Sequence, residues 1–152
     1  MTSSDGAGEP RLILAGSASD DRGRVYFAND FDMRECVRMY IVENFSPGTV
    51  RAWHAHRCER KWVMALTGAA LACCVAIDDW ESPSADAVIH RFTLDADHPA
   101  ILAVPAGYAN GAMALLPQTK LIYFSDASLE ETLKDDIRYP ARYWDPWHVT
   151  ER

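Results

Sequence analysis

The chain alternates short apolar runs with polar punctuation. Segments rich in Val, Ile, Leu, Tyr and Phe fall at 11–15, 24–28, 37–44, 50–54 and 62–67, and again at 70–77, 87–94, 100–104, 112–116 and 121–125. Between them stand Gly, Pro, Asp and Asn, which turn a chain through backbone freedom, a fixed φ or local side-chain hydrogen bonds. Many short strands at this spacing predict an antiparallel sandwich or barrel. One stretch breaks the cadence: Ser128 to Lys134 is helical in character, with Ser128 as N-cap and Glu131 completing a capping box. The acidic, Pro-containing stretch 78–86 predicts a surface loop, and the aromatic stretch from Tyr139 to Trp147 predicts a cover for one end of the barrel or for a partner subunit. Residues 1–10 are small and polar and predict a flexible start, leaving 11–152 as one domain.

Composition narrows the class. A chain of 152 residues with 49% hydrophobic positions fills one core. The net charge is -7, and the 15 Lys and Arg residues form no stripe that would track phosphates, which argues against a nucleic-acid partner. An anionic small molecule is still compatible, because a few basic side chains converging locally suffice to hold it. Cys36, Cys58, Cys73 and Cys74 lack zinc-ribbon spacing and read as reduced, mostly buried thiols. With no apolar run of the ~18 residues a membrane helix needs, and no signal-like start, a cytoplasmic protein without a membrane partner is expected.

The chemistry concentrates between Gly48 and Gly68. His54 and His56 are separated by one residue on a predicted strand, so both imidazoles point to one face. Gly48, His54, His56 and Gly68 follow the spacing of the first cupin motif, but Lys61 stands where that motif has its glutamate. Pro105, Gly107 and Asn110 follow the second motif, with asparagine in place of its last metal ligand. The sequence thus resembles the cupin superfamily, which implies a double-stranded β-helix, or jelly-roll barrel, with a short C-terminal helical segment. Two of the four metal ligands are replaced. An ammonium repels a dication while still supplying positive charge, so neither metal nor organic cofactor is expected. Glu59 is the alternative third ligand, but strand geometry leaves its direction open.

The metal-free pattern resembles the dTDP-4-dehydrorhamnose 3,5-epimerases and the related sugar-nucleotide 3,4-ketoisomerases, over roughly residues 20–147. Asp20-Asp21-Arg22-Gly23 with Val25-Tyr26-Phe27 is similar to the epimerases' Asp-x-Arg-Gly-x-Phe, which implies that Arg22 contacts the nucleotide phosphate. Arg51-Ala52-Trp53-His54 is similar to their Arg-Gly-x-His, which implies His54 as general base. Lys61-Trp62-Val63 matches Lys-Leu-Val and implies Lys61 beside a developing enolate. The run from Val104 to Gly111 parallels Ile-Pro-x-Gly-Phe-Ala-His-Gly, and Leu121-Ile122-Tyr123 parallels the strand bearing the catalytic tyrosine. The His54-Ala55-His56 pair and Arg38-Met39-Tyr40-Ile41 are instead similar to the ketoisomerases, which implies roles for His56 and Tyr40. The chain ends soon after Trp147, where full-length epimerases continue with a segment giving an aspartate to the histidine. The carboxylate that orients His54 is therefore expected elsewhere, with Asp78 and Asp79 as candidates.

The resemblance implies a nucleotide-diphosphate sugar, dTDP-linked, as substrate. A 4-keto group acidifies the hydrogens on C3 and C5, so inversion needs a base, a stabilised enolate and an acid on the opposite face. His54, Lys61 and Tyr123 supply those types, with His56 and Tyr40 as further acid or base candidates and Arg22, Arg51 and Asn110 as binding candidates. Arg51 lies three residues from His54, on the opposite strand face unless a bulge intervenes. Trp53, Trp62, Trp144 and Trp147 suit core or interface packing better than base stacking. Epimerisation is the first expectation and 3,4-ketoisomerisation the second, ahead of a silent sugar-nucleotide-binding cupin and of a two-histidine metal cupin with dioxygenase-type activity. A homodimer is expected, because such barrels pair through their edge strands.

Overall fold

The computed structural model describes residues 8–148. The expected flexible start therefore lies, for residues 1–7, outside the described residues; Gly8 and Glu9 are exposed and Pro10 is buried at the entry to the first strand. The chain folds as an all-β jelly roll. One sheet runs β1 (Arg11–Leu14), β9 (Ala100–Val104), β6 (Lys61–Thr67), β11 (Thr119–Ser125), β4 (Arg38–Asn44). The facing sheet runs β12 (Ile137–Arg138), β5 (Val50–Ala55), β10 (Tyr108–Ala114), β7 (Ala69–Ala76), β8 (Ile89–Asp95). A separate hairpin pairs β2 (Gly16–Asp20) with β3 (Gly23–Phe27). No helix among the described residues is long and apolar enough to cross a membrane.

Two apolar cores flank the second sheet. Val63, Ala65, Ala70, Ala72, Cys74, Leu94, Leu102, Val104, Ala112 and Leu121 fill the space between the sheets. Period-2 alternation sends β7's other residues outward, where Cys73 and Val75 meet Trp53, Ala55, Ala109, Trp144 and Trp147. The aromatic tail thus covers the outer face of the β5–β10–β7 sheet rather than an end of the barrel. Trp53 donates its indole N–H to the carbonyls of Ala141 and Trp144, both at 3.1 Å, and packs edge-on against Trp144. This satisfies the polar end of a wholly buried ring.

The short helix α1 (Leu129–Lys134) starts as the sequence predicts, with Ser128 and Glu131 exchanging capping-box hydrogen bonds. Besides the short β12, which no expected segment covers, β2 and β10 depart from the expected pattern. β2 carries almost no apolar signal, and β10 begins at Tyr108 instead of 112, its first half including the small Gly111, where the backbone approaches Ala52 closely. A Cβ at Gly111 would lie 2.5 Å from that of Ala52. The glycine accommodates a bulge: opposite the single Gly111, β5 inserts two residues, Ala52 and Trp53, between the pairs Asn110↔His54 and Ala112↔Arg51. The Ala52–Trp53 peptide within the bulge is cis.

Candidate active site

Alternation fixes the inner wall of the first sheet in layers. Lys61, Ser125 and Arg38 are aligned across β6, β11 and β4, and Val63, Tyr123 and Tyr40 form the next layer. From the facing sheet, β5 turns His54 and His56 into the same space. The bulge adds Arg51 to that face, where Nε donates to Asn44 Oδ1 at 2.8 Å and bridges β5 to β4 of the facing sheet. Of the expected site residues, the fold therefore gathers His54, His56, Lys61, Tyr40, Tyr123, Arg51 and Asn110 around one interior. Solvent reaches it past Arg51, which is exposed, and His54, whose side chain is 36% accessible.

His54 is held from three sides. Asn110 Nδ2 donates to the His54 carbonyl at 3.1 Å, Arg138 pairs with it across β12, and Asp136 Oδ1 lies 3.9 Å from its Nδ1. Burial, and then the charges of Arg138 and Lys61, push the imidazole below its ordinary pKa despite Asp136, so His54 is a free base at neutral pH. Burial works to raise the Asp136 carboxyl, but the hydrogen bond and charge of Arg138, with the nearby histidines, hold it below the usual carboxylate range. Asp136 was not visible as a site residue in the sequence. It, and not Asp78 or Asp79, is the carboxylate beside His54; Asp78 and Asp79 accept backbone N–H groups of their own loop, from Asp79, Ser84, Glu81 and Ser82.

On the opposite wall Tyr40 and Tyr123 stack face to face, 5.0 Å between centroids and 4° from parallel. Burial, reinforced by Tyr40, pushes the Tyr123 phenol well above its ordinary value, so it carries its proton throughout the neutral range. Lys61 Nζ lies 5.7 Å from the Tyr40 ring centre and, buried, reaches 4.0 Å from Glu59 Oε1. Glu59 itself is not turned out as a free ligand: Oε1 accepts from Ser125 Oγ at 2.5 Å and from Arg38 Nη2 at 3.2 Å. The interior thus offers a neutral base on one wall and, on the other, the protonated Tyr123 phenol with the Lys61 ammonium beside the stacked tyrosines. That combination can take a proton from carbon, stabilise the oxyanion and return a proton from the other side.

Arg22 is apart from this group. It sits at the turn of the exposed β2–β3 hairpin with its side chain 86% accessible, and its guanidinium binds Asp20 Oδ2 at 2.5 Å. Trp62 faces outward from β6, where Phe31 packs on it and on Phe124.

Comparison with known proteins places this architecture. A family model described as dTDP-4-dehydrorhamnose 3,5-epimerase matches residues 12–143. Among solved structures, the dTDP-4-dehydrorhamnose 3,5-epimerase of Bacillus anthracis, with TDP and pyrophosphate bound, superposes with a TM-score of 0.70 at 21% identity, over 93% of this chain and 86% of that one. A dTDP-6-deoxy-D-glucose-3,5-epimerase from Legionella pneumophila, in complex with dTDP-4-keto-L-rhamnose, gives 0.73 at 16% identity over 94% and 80%. A 3,4-ketoisomerase mutant from Thermoanaerobacterium thermosaccharolyticum, in complex with TDP-4-keto-6-deoxyglucose, gives 0.65 at 17% over 91% and 94%. No curated protein matches by sequence. At these identities the structures speak for the fold, and the family match speaks for the lineage. The chain belongs to the dTDP-4-dehydrorhamnose 3,5-epimerase family, a family of sugar-nucleotide epimerases and isomerases.

Proposed function

We propose that the protein epimerises a dTDP-linked 4-keto-6-deoxy sugar at C3, C5 or both. The observation that carries this reading is the placement of His54 and Tyr123 on opposite walls of one interior with Lys61 buried beside it. His54, as free base, takes the hydrogen from the carbon next to the ketone. The electron pair moves onto the carbonyl oxygen, and the Lys61 ammonium stabilises that enolate. Tyr123 then gives its proton to the same carbon from the opposite face, inverting it, and solvent exchange resets both groups. The chemistry uses only this chain's side chains, with Lys61 supplying the positive charge that a metal supplies in other cupins.

A second reading, 3,4-ketoisomerisation, draws support from one observation: His54 and His56 share a wall, which suits proton transfer between neighbouring positions on one face of the sugar. Incubating the chelator-treated protein with dTDP-4-keto-6-deoxyglucose in deuterium oxide separates the two. Deuterium at C3 or C5 with the ketone kept at C4 supports epimerisation, a ketone moved to C3 supports isomerisation, and no exchange at all overturns both for this substrate.

The proposed assembly is a homodimer. Met39 and Ile41, 55% and 50% accessible, stand with Leu66 on the outer face of the β4-containing sheet, and Val25, Tyr26 and Phe27 on the hairpin are also exposed. Apolar surface of this extent seeks a partner, and a second copy of the same face satisfies it symmetrically. Since Arg22 does not reach the interior of its own barrel, its proposed contact with the diphosphate belongs to the partner's site. A cytoplasmic setting fits the four unpaired cysteines.

A further inference from the structure

Glu59 lies on the β5–β6 turn between residues of quite different fate. Arg57 and Cys58 are exposed, whereas the Glu59 side chain is only 1% accessible. A carboxylate taken so far out of water costs several kcal/mol unless its charge and lone pairs are met. Oε1 is met by Ser125 and Arg38, with Lys61 close by. Oε2 has no hydrogen-bond partner and faces His56 Nδ1 at 3.2 Å.

His56 is as deeply placed, 3% accessible, and its Nδ1 lies 2.7 Å from the main-chain oxygen of Asp135. A carbonyl oxygen only accepts, so Nδ1 carries the hydrogen. The Asp135 corner is itself anchored, because its carboxylate accepts the backbone N–H of Arg57 at 2.8 Å and of Cys58 at 2.9 Å. Neutral His56 must then expose a lone pair at Nε2, and that atom is buried without any hydrogen-bond partner. A buried acceptor left unmade is costly, and its most economical explanation is a group kept ready for a ligand.

We infer that Glu59 is a positioning residue which, with the Asp135 carbonyl, fixes His56 in the Nδ1–H form and prepares its Nε2 as a second proton acceptor beside His54. This deepens the proposed function and rests on it for its chemical purpose. The groups facing His56 are Glu59 on its own turn, Lys61 from β6, Arg38 from β4 behind Glu59, Asp135 and Asp136 from the α1–β12 corner, and His54 from β5. Burial first and Lys61 second push the imidazole below its ordinary value, and Glu59 is the principal charge working the other way. When Nε2 takes a proton, the positive ring has a carboxylate oxygen beside it.

The test needs no substrate. In the ¹⁵N NMR spectrum of the free protein, neutral His56 is expected to show a protonated Nδ1 and a bare Nε2. Glu59→Gln keeps an acceptor for Ser125 and Arg38 but removes the charge, so the His56 midpoint should fall by roughly one pH unit, a tenfold loss of proton affinity. Glu59→Asp, which keeps the charge, should restore most of it. A neutral His56 protonated at Nε2 overturns the inference even if the Gln variant fails to fold, and so does a midpoint that Glu59→Gln leaves unmoved. In turnover, Glu59→Gln should lower kcat with KM for the nucleotide sugar unchanged. A protein with the expected tautomer and shift that exchanges no deuterium into any nucleotide sugar keeps the positioning of His56 and sinks the assigned activity, so the two failures are told apart.

Discussion

His54 Nδ1 stands 3.9 Å from Asp136 Oδ1, while Arg138 grips the other oxygen of the same carboxylate at 3.0 Å. At that separation Asp136 acts on the imidazole through its charge, and an approach of about 1 Å on substrate binding would make a hydrogen bond; such contacts are commonly looser before the substrate is bound. Asp136→Asn is expected to lower kcat for deuterium exchange by roughly 10²-fold, the scale of a misoriented general base, with KM little changed. Because Asp136 favours the protonated ring, its loss moves the acid limb of the pH profile to lower pH. A profile unmoved in this variant would detach Asp136 from His54.

Lys61 carries a separate prediction. Its ammonium is buried between Glu59 and the Tyr40 ring, so Lys61→Met removes the charge meant for the enolate oxygen while keeping most of the volume. Loss of one preorganised oxyanion partner costs about 10²–10³ in kcat. Lys61→Arg should not rescue it, since a planar fork does not fit a point-charge position. Exchange measured by mass spectrometry in the three proteins decides this, and a fully active Met variant would overturn the role.

The stacked tyrosines can be separated by what they leave behind. If Tyr123 returns the proton opposite His54, Tyr123→Phe should still exchange solvent deuterium by returning it from the His54 side, yet form little inverted sugar. Tyr40→Phe should retain inversion. The ratio of exchange to inversion, followed by NMR, is the measurement. Equal loss in both variants would favour the shared-wall chemistry of an isomerase.

Much of this site was legible because strands broadcast their faces. The shared face of His54 and His56 follows from period-2 alternation, whereas Lys61, Tyr123 and Tyr40 were legible through the family resemblance, and their layering needed the cross-strand register. Alternation fails where the backbone departs from it. The bulge opposite Gly111 turns Arg51 onto the His54 face, which strict counting forbids. Asp136 escaped because its approach depends on β12, only two residues long, pairing with β5. Glu59 stood out in the sequence only as an alternative metal ligand of open direction, and only the packed structure separates its buried carboxylate from the exposed Arg57 and Cys58. β2, with Gly16, Ser17, Ala18, Ser19 and Asp20, has no apolar face to announce it.

The same histidines should write themselves into stability. Both His54 and His56 are held below their ordinary pKa, chiefly by burial, so the unfolded chain binds protons that the folded one refuses. Stability from these groups is complete above the unfolded value of ~6.5 and is lost as pH falls through the lowered folded values. The carboxylates held low, Asp20, Asp32, Asp78, Asp95 and Asp136, act in another window, beginning only below their unfolded value of ~3.9. Melting temperature should therefore be level from pH 8 to about 7, decline below about 6.5 and steepen again below about 4. In a His54→Asn, His56→Asn double variant the first decline should flatten while the second persists, whatever the variant's own stability at pH 8. A wild-type curve level between about 7 and 5 would mean that the two imidazoles meet protons as freely inside the barrel as outside it, and would remove the basis for reading either as a neutral base shaped by burial.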